Sequence, residues 1–149
     1  MSSDVSQVDI RGPRFAAWIT TTVLVVTLVV SVFSLPAAAV ILGAQAIVFA
    51  VSAVRGPRNS PYGLLFAKLV APRLSPVRER EPVPPLKFAQ LVGLVFAVLG
   101  AIGFAAGIPL LGAIATGFAL FASFLNAAFG ICLGCQIYPL VARFRRATA

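Results

Sequence analysis

Two long runs without a charged residue, Phe15–Val54 and Phe88–Ala142, occupy most of the chain, and nearly everything strongly polar lies outside them. A helix rising 1.5 Å per residue needs about 20 residues to cross a hydrocarbon core of roughly 30 Å. The first run is therefore long enough for two spans. The stretch "FSLPAAA" breaks it near its middle, which predicts a first helix from Phe15 to about Ser34 and a second from about Pro36 to Val54. Proline is tolerated in a helix's opening turn, where its missing N–H costs no bond. Gly107-Ile108-Pro109 breaks the second run in the same way. The expected fold is an all-α membrane protein with four transmembrane helices arranged as two helical hairpins, residues 15–54 and 88–142. The second run is the longer one, and the surplus is expected to extend the fourth helix beyond the length of its counterpart.

Between the hairpins, residues 55–87 hold seven prolines and most of the charges, too polar a mixture to span. Ser60-Pro61 reads as an N-cap followed by a proline at the first helical position. Tyr62, Leu65, Phe66 and Leu69 then fall at i, i+3, i+4 and i+7. This predicts a short amphipathic interfacial helix over about 61–71, its four apolar residues resting on the membrane and Lys68 turned to water. The rest of the loop, "RLSPVREREPVPP", is expected to be extended and polyproline-like. Phe15 to Pro36 and Phe88 to Pro109 have the same spacing, and "RGPR" occurs at 11–14 and again at 55–58. These matches suggest a tandem repeat of a two-helix unit offset by 73 residues, although two hairpins fitted to one bilayer would share such lengths anyway.

Charge orients the chain. All 12 basic residues lie in the 1–14 segment, the 55–87 loop or the 143–149 tail, and the turns at Pro36 and Pro109 have none. Under the positive-inside rule both termini and the loop are cytoplasmic in a multi-pass protein of the cell's inner membrane. Trp18 and Tyr138 suit the cytoplasmic interface. The formal net charge of +8 matches an anionic inner leaflet and calls for no nucleic acid. Composition agrees, since 60% of residues are hydrophobic and only 11% charged, against about a quarter charged in soluble domains. The absence of histidine excludes hydrolytic triads and mixed Cys/His zinc sites. Spans without ionisable residues argue against ion-coupled transport. Gln45, Gln90 and Asn126, the strongest polar groups in the spans, suit hydrogen bonds between helices. Small residues at Gly93, Ala97, Gly100, Gly103 and Gly107, with a comparable stripe of Gly112, Ala119, Ser123, Ala127, Gly130 and Gly134, predict close packing of the third and fourth helices.

The candidate chemistry is confined to Cys132 and Cys135, the only cysteines, in a C-x-x-C spacing within "NAAFGICLGCQIYPL". On a continuous fourth helix they share a face near its C-terminus, where the macrodipole disfavours a thiolate. Gly130, Gly134 and Pro139 are the residues that would let the helix distort and bring the sulfurs together. Two cysteines fall short of a four-ligand metal site unless a homo-oligomer contributes both pairs, and no cofactor is expected. Two classes of function stay open. In one, Cys132 and Cys135 act in thiol redox or sulfur relay. In the other, the chain is a non-catalytic membrane scaffold or anchor for a cytoplasmic partner, and its cysteines only fill space. Trapping of a mixed disulfide discriminates them.

"RGPR" ahead of the first span together with the cysteine segment resembles the small actinobacterial membrane proteins grouped as domain of unknown function 4395. The likeness covers nearly the whole chain, and its matching positions are Asn126, Gly130, Cys132, Gly134, Cys135, Tyr138 and Pro139. The family has no assigned activity. The resemblance implies thioredoxin-like or rhodanese-type sulfurtransferase partners, and with them a role for Cys132 and Cys135.

Overall fold

The computed structural model describes residues 7–56, 59–76 and 80–148. Outside these lie residues 1–6 of the N-terminal segment, Pro57 and Arg58 of the second "RGPR", 77–79 of the expected polyproline stretch, and Ala149. Four long helices dominate: α1 (Arg11–Phe33), α2 (Leu35–Arg55), α4 (Val83–Ala105) and α5 (Pro109–Phe129). All four are long and apolar enough to cross a membrane. Two shorter helical segments follow the second and fourth of these. The first is α3 (Pro61–Leu65), which widens into a π turn over Phe66–Val70 and tightens into a 3-10 turn at Ala71–Arg73. The other is α6 (Leu133–Thr148).

Local sequence explains the breaks. Ser34 takes an extended conformation and its hydroxyl accepts the Ala37 N–H at 3.2 Å, with Pro36 in the first turn of α2. After α4, Gly107 adopts a φ of 77° and the Ile108 N–H closes back onto the Gly103 carbonyl at 2.7 Å. A left-handed residue of this kind ends helices, and glycine is the residue that adopts it without strain. The Ser60 hydroxyl caps α3 through the Gly63 N–H at 3.0 Å. Both α1 and α4 start earlier than the charge-free runs, because Pro13, Pro84 and Pro85 fall in opening turns that proline fits. The expectation of an extended "VPP" at 83–85 is corrected accordingly.

The bundle is arranged as a square: α1 touches α2 and α5, and α4 touches α2 and α5, with the most extensive packing between α2 and α4. Its interior is made of small and medium side chains, including fully buried Leu24, Ala38, Leu42 and Ala97, with Phe104 the largest. Large apolar side chains such as Val32, Phe33, Val40 and Leu110 are exposed instead. An aqueous protein would bury these first. In lipid the driving force is close backbone approach, and the contacts of α4 with α5 and with α2 show it. A Cβ on Gly103 would stand 2.6 Å from the Gly112 nitrogen, and one on Gly100 2.6 Å from Leu42 Cδ2. The predicted small-residue packing therefore holds at Gly100, Gly103 and Gly112. Gly107 lies instead in the exposed turn, and Gly130 and Gly134 fall beyond the end of α5.

The two halves repeat the same plan. Helices α1 and α4 have 23 residues each, α2 and α5 have 21 each. Segment β1 (Gln7–Asp9), ahead of α1, pairs antiparallel with β2 (Arg80–Pro82), ahead of α4. Their register, Gln7 with Pro82, Val8 with Glu81 and Asp9 with Arg80, is unchanged when each residue is exchanged for its counterpart 73 positions along. Helix α3 packs on α1 and α2, and α6 packs on α4 and α5. The Phe15 ring meets Phe66 at 5.7 Å, and the Phe88 ring meets Tyr138 at 5.8 Å. Glycines with positive φ end both α2 and α5, Gly56 at 90° and Gly130 at 71°. The repeating unit is thus a short strand, two long helices and a shorter third helix, one helix more than the sequence suggested.

Two expectations are overturned by this plan. The fourth helix does not run on to Ala142: it stops at Phe129, and the surplus of the second apolar run is a separate helix, the counterpart of α3. Along α3, Tyr62 and Phe66 turn inward, Tyr62 donating its hydroxyl hydrogen to Gln45 Oε1 at 2.6 Å and Phe66 packing on Phe15. Leu65 and Leu69 are exposed. The buried Gln45 amide on α2 offers an acceptor that the tyrosine satisfies, and this bond outweighs any preference of Tyr62 for an interface.

Candidate functional site

Gly130 is where the site begins. Its left-handed backbone terminates α5, its N–H bonds the Asn126 carbonyl at 3.0 Å, and Ile131 bonds the Leu125 carbonyl at 3.1 Å. The chain then turns and α6 starts at Leu133. Cys132 occupies the capping position: its carbonyl accepts the Gln136 N–H at 3.1 Å, and its sulfur accepts the Cys135 N–H at 3.1 Å. Cys135 stands one turn into the helix. The two are joined as a disulfide across a Cα–Cα distance of 5.2 Å.

This placement reverses the expected electrostatics. The cysteines were expected near a helix C-terminus, where negative charge is disfavoured. They stand at a helix N-terminus, where unpaired N–H groups and the positive end of the macrodipole favour a thiolate. The end of α5 is tied to α1, because the Arg14 guanidinium donates to the Ala127 carbonyl at 3.1 Å. Sequence spacing gave no sign of that arginine, which lies over 100 positions away.

The supporting residues have distinct roles. Gly134, between the cysteines, is where α6 lies against α4: a Cβ there would be 2.6 Å from both Cα and Cβ of Ala89. It is required for close approach, and the bend resides in Gly130. Tyr138 anchors the next turn on Phe88. Pro139 lies inside α6 and has no N–H for the Cys135 carbonyl one turn earlier, so that carbonyl lacks its helical donor. Asn126 and Cys132 both border a cavity of about 350 Å³ bounded chiefly by α1, α4, α5 and the start of α6. The structure thus gathers Asn126, Gly130, Cys132, Gly134, Cys135 and Tyr138 at one corner of the bundle. Pro139 lies on the exposed side of α6.

A bundle of four helices long and apolar enough to cross a membrane, with a Cys132–Cys135 disulfide at the start of the short helix α6, defines the class as a multi-pass membrane protein. The chain belongs to the family described as Domain of unknown function (DUF4395), whose model matches residues 8–143. No curated protein and no solved structure matches it.

Proposed function

We propose that the protein is a membrane-embedded thiol-disulfide component in which Cys132 and Cys135 alternate between dithiol and disulfide by exchange with a thioredoxin-like or sulfurtransferase partner at the cytoplasmic face. The observation that carries this reading is the position of the pair, with Cys132 capping a helix of its own. A partner disulfide is attacked by the Cys132 thiolate, giving a mixed disulfide and releasing one partner thiolate. The Cys135 thiolate then attacks the Cys132 sulfur, which forms the intramolecular disulfide and releases the second partner thiolate. Both thiol protons of the pair end on the partner or in solvent, and two electrons move to the partner.

The bilayer arrangement belongs to the same proposal. The helices pair as two hairpins, N-in and C-in in the inner membrane, with the β1–β2 ladder and Arg14 gathering the starts of α1 and α4 and the end of α5 at the cytoplasmic face. Helices α3 and α6 lie along that face. Leu65 and Leu69 of α3 and Leu140 and Phe144 of α6 are exposed apolar residues on segments that also carry Lys68, Arg143 and Arg145, a mixture suited to an anionic interface.

The test is differential alkylation in intact cells. Acid quenching followed by a mass-shifting maleimide should find both cysteines protected as a disulfide in one part of the population and free in the rest. Brief treatment with a membrane-permeant reductant should shift the ratio reversibly. A pair that stays entirely free, or entirely oxidised whatever the reductant, would leave the protein a scaffold with structural cysteines.

A further inference from the structure

We infer that the cavity beside Cys132 is a binding site for a lipid-soluble quinone, which serves as the two-electron acceptor that re-forms the Cys132–Cys135 disulfide. The inference rests on the dithiol reading of the pair, taken in the direction in which a partner dithiol reduces the Cys132–Cys135 disulfide by the same two exchanges in reverse, and names the oxidant that re-forms it.

The cavity's chemistry selects this class of ligand. Its volume of about 350 Å³ lies in the range of small-molecule sites, roughly 300–1,000 Å³. Among the described residues no charged side chain lines it, which disfavours phosphorylated or carboxylated ligands, nucleotides among them. Its walls are chiefly apolar and aromatic, with Phe49, Phe96 and Phe118 available to flank a flat ring. The polar groups are few: the Gln90 and Asn126 amides, with the hydroxyls of Thr20 and Ser123. Neither amide side chain has a hydrogen-bond partner among the described residues, so both have N–H donors available for carbonyl oxygens. Phe118 and Phe121 line the cavity and are also 59% and 58% exposed on the outside of the bundle, so it reaches the surface that faces lipid. A ligand that arrives through the bilayer, has a flat ring and carries two carbonyls at its polar end fits these features together.

Cys132 supplies the reacting group at the cavity wall. The two thiols give up two electrons and two protons and one S–S bond forms. The quinone takes both electrons and both protons, its two carbonyl oxygens becoming hydroxyls, and leaves as the hydroquinone. Cys135 need not face the cavity, because it reacts with the Cys132 sulfur.

The experiment uses the full chain in nanodiscs, reduced and freed of reductant, with a fully ring-substituted benzoquinone carrying two isoprene units as the probe, so that thiols cannot add to the ring. Hydroquinone should form in a one-to-one ratio with disulfide. Trp18, the only tryptophan, follows Ala17 of the cavity wall and should be quenched saturably by the probe. Ala122→Phe, which fills the cavity, should slow disulfide formation at least tenfold and abolish saturation, and Asn126→Leu should weaken binding severalfold. The variant with both cysteines changed to Ser should still show saturable quenching while reducing no quinone. Oxidation at the wild-type rate in Ala122→Phe, or quenching that only rises linearly in every variant as for dissolved lipid, would overturn the site. Exchange with dithiothreitol, measured in parallel, separates the two readings: if it persists while quinone oxidation fails, the thiol pair stands and the quinone site falls.

Discussion

Changing Gly134 to Ala should be among the most damaging single-methyl additions to this protein. The added Cβ would lie 2.6 Å from two atoms of Ala89, its Cα and its Cβ. The first of these belongs to the α4 backbone and cannot rotate away, so α6 must move off α4 by nearly 1 Å to restore ordinary contact. Overpacking of this kind costs about 1–3 kcal/mol. Alanine's higher helix propensity returns up to about 1 kcal/mol, so with the cost at the upper end, as a clash with backbone requires, a net loss of about 2 kcal/mol remains. Ala89→Gly removes one of the two obstructing atoms, so the double variant should recover part of the loss and no more. Gly117→Ala is the control, since nothing lies within 4 Å of its added Cβ and α5 should gain slightly. Reversible unfolding in mixed micelles with rising SDS fraction, followed by Trp18 fluorescence, gives the three values. A Gly134→Ala protein as stable as wild type, or one for which Ala89→Gly restores nothing, would refute the packing argument for the cysteine arm.

Three further outcomes follow from the same structure. Gly103→Ala should destabilise the bundle by about 1–3 kcal/mol because its Cβ meets the Gly112 backbone, while Leu99→Ala, at a residue 43% exposed, should cost well under 1 kcal/mol in the same micelle assay, since lipid fills the gap. Tyr62→Phe should cost about 1–3 kcal/mol by orphaning the buried Gln45 oxygen. Burial raises the Tyr62 hydroxyl above its ordinary value of 10.0, so the proton is held more tightly in the fold. Stability from this bond is complete below about pH 10 and is lost as pH rises further, which alkaline unfolding should reveal as a pH slope absent from Tyr62→Phe. In a Cys-free background, single cysteines at 35 or 108 should react with impermeant maleimide outside intact cells and one at 75 should not; labelling at 75 would invert the proposed topology.

The long helices were legible because hydropathy and helix breakers act together: Ser34 and Pro36, then Gly107 and Pro109, fall where the chain turns. The start of α3 was equally plain from Ser60-Pro61. The break at Gly130 was hidden because Ile131, Cys132 and Leu133 keep the run apolar, so no charge or proline marks the new helix. A signal was nevertheless present in the repeat itself, since Gly56 and Gly130 end equivalent helices. Aligning the two halves through those glycines, rather than through the basic residues that close each run, would have placed α6 opposite α3. What could not be read was anything built from distant pairs: Arg14 on the end of α5, the β1–β2 ladder, the Tyr62–Gln45 bond, and the cavity that joins Gln90 and Asn126 to Cys132. Each depends on how the helices are arranged around the square, which hydropathy along one chain does not encode.

The central claim, that Cys132 and Cys135 exchange disulfides with a partner, is tested most directly by trapping in native membranes. With Cys135 changed to Ser the resolving thiol is missing, so Cys132 should accumulate a mixed disulfide with a cytoplasmic protein, visible as a reductant-sensitive band and identifiable by mass spectrometry as a thioredoxin-fold or sulfurtransferase chain. With Cys132 changed to Ser, that species should be much weaker. If neither single variant traps a protein and the double Ser variant grows like wild type under thiol stress and sulfur limitation, the pair carries no exchange and the account of this site is wrong.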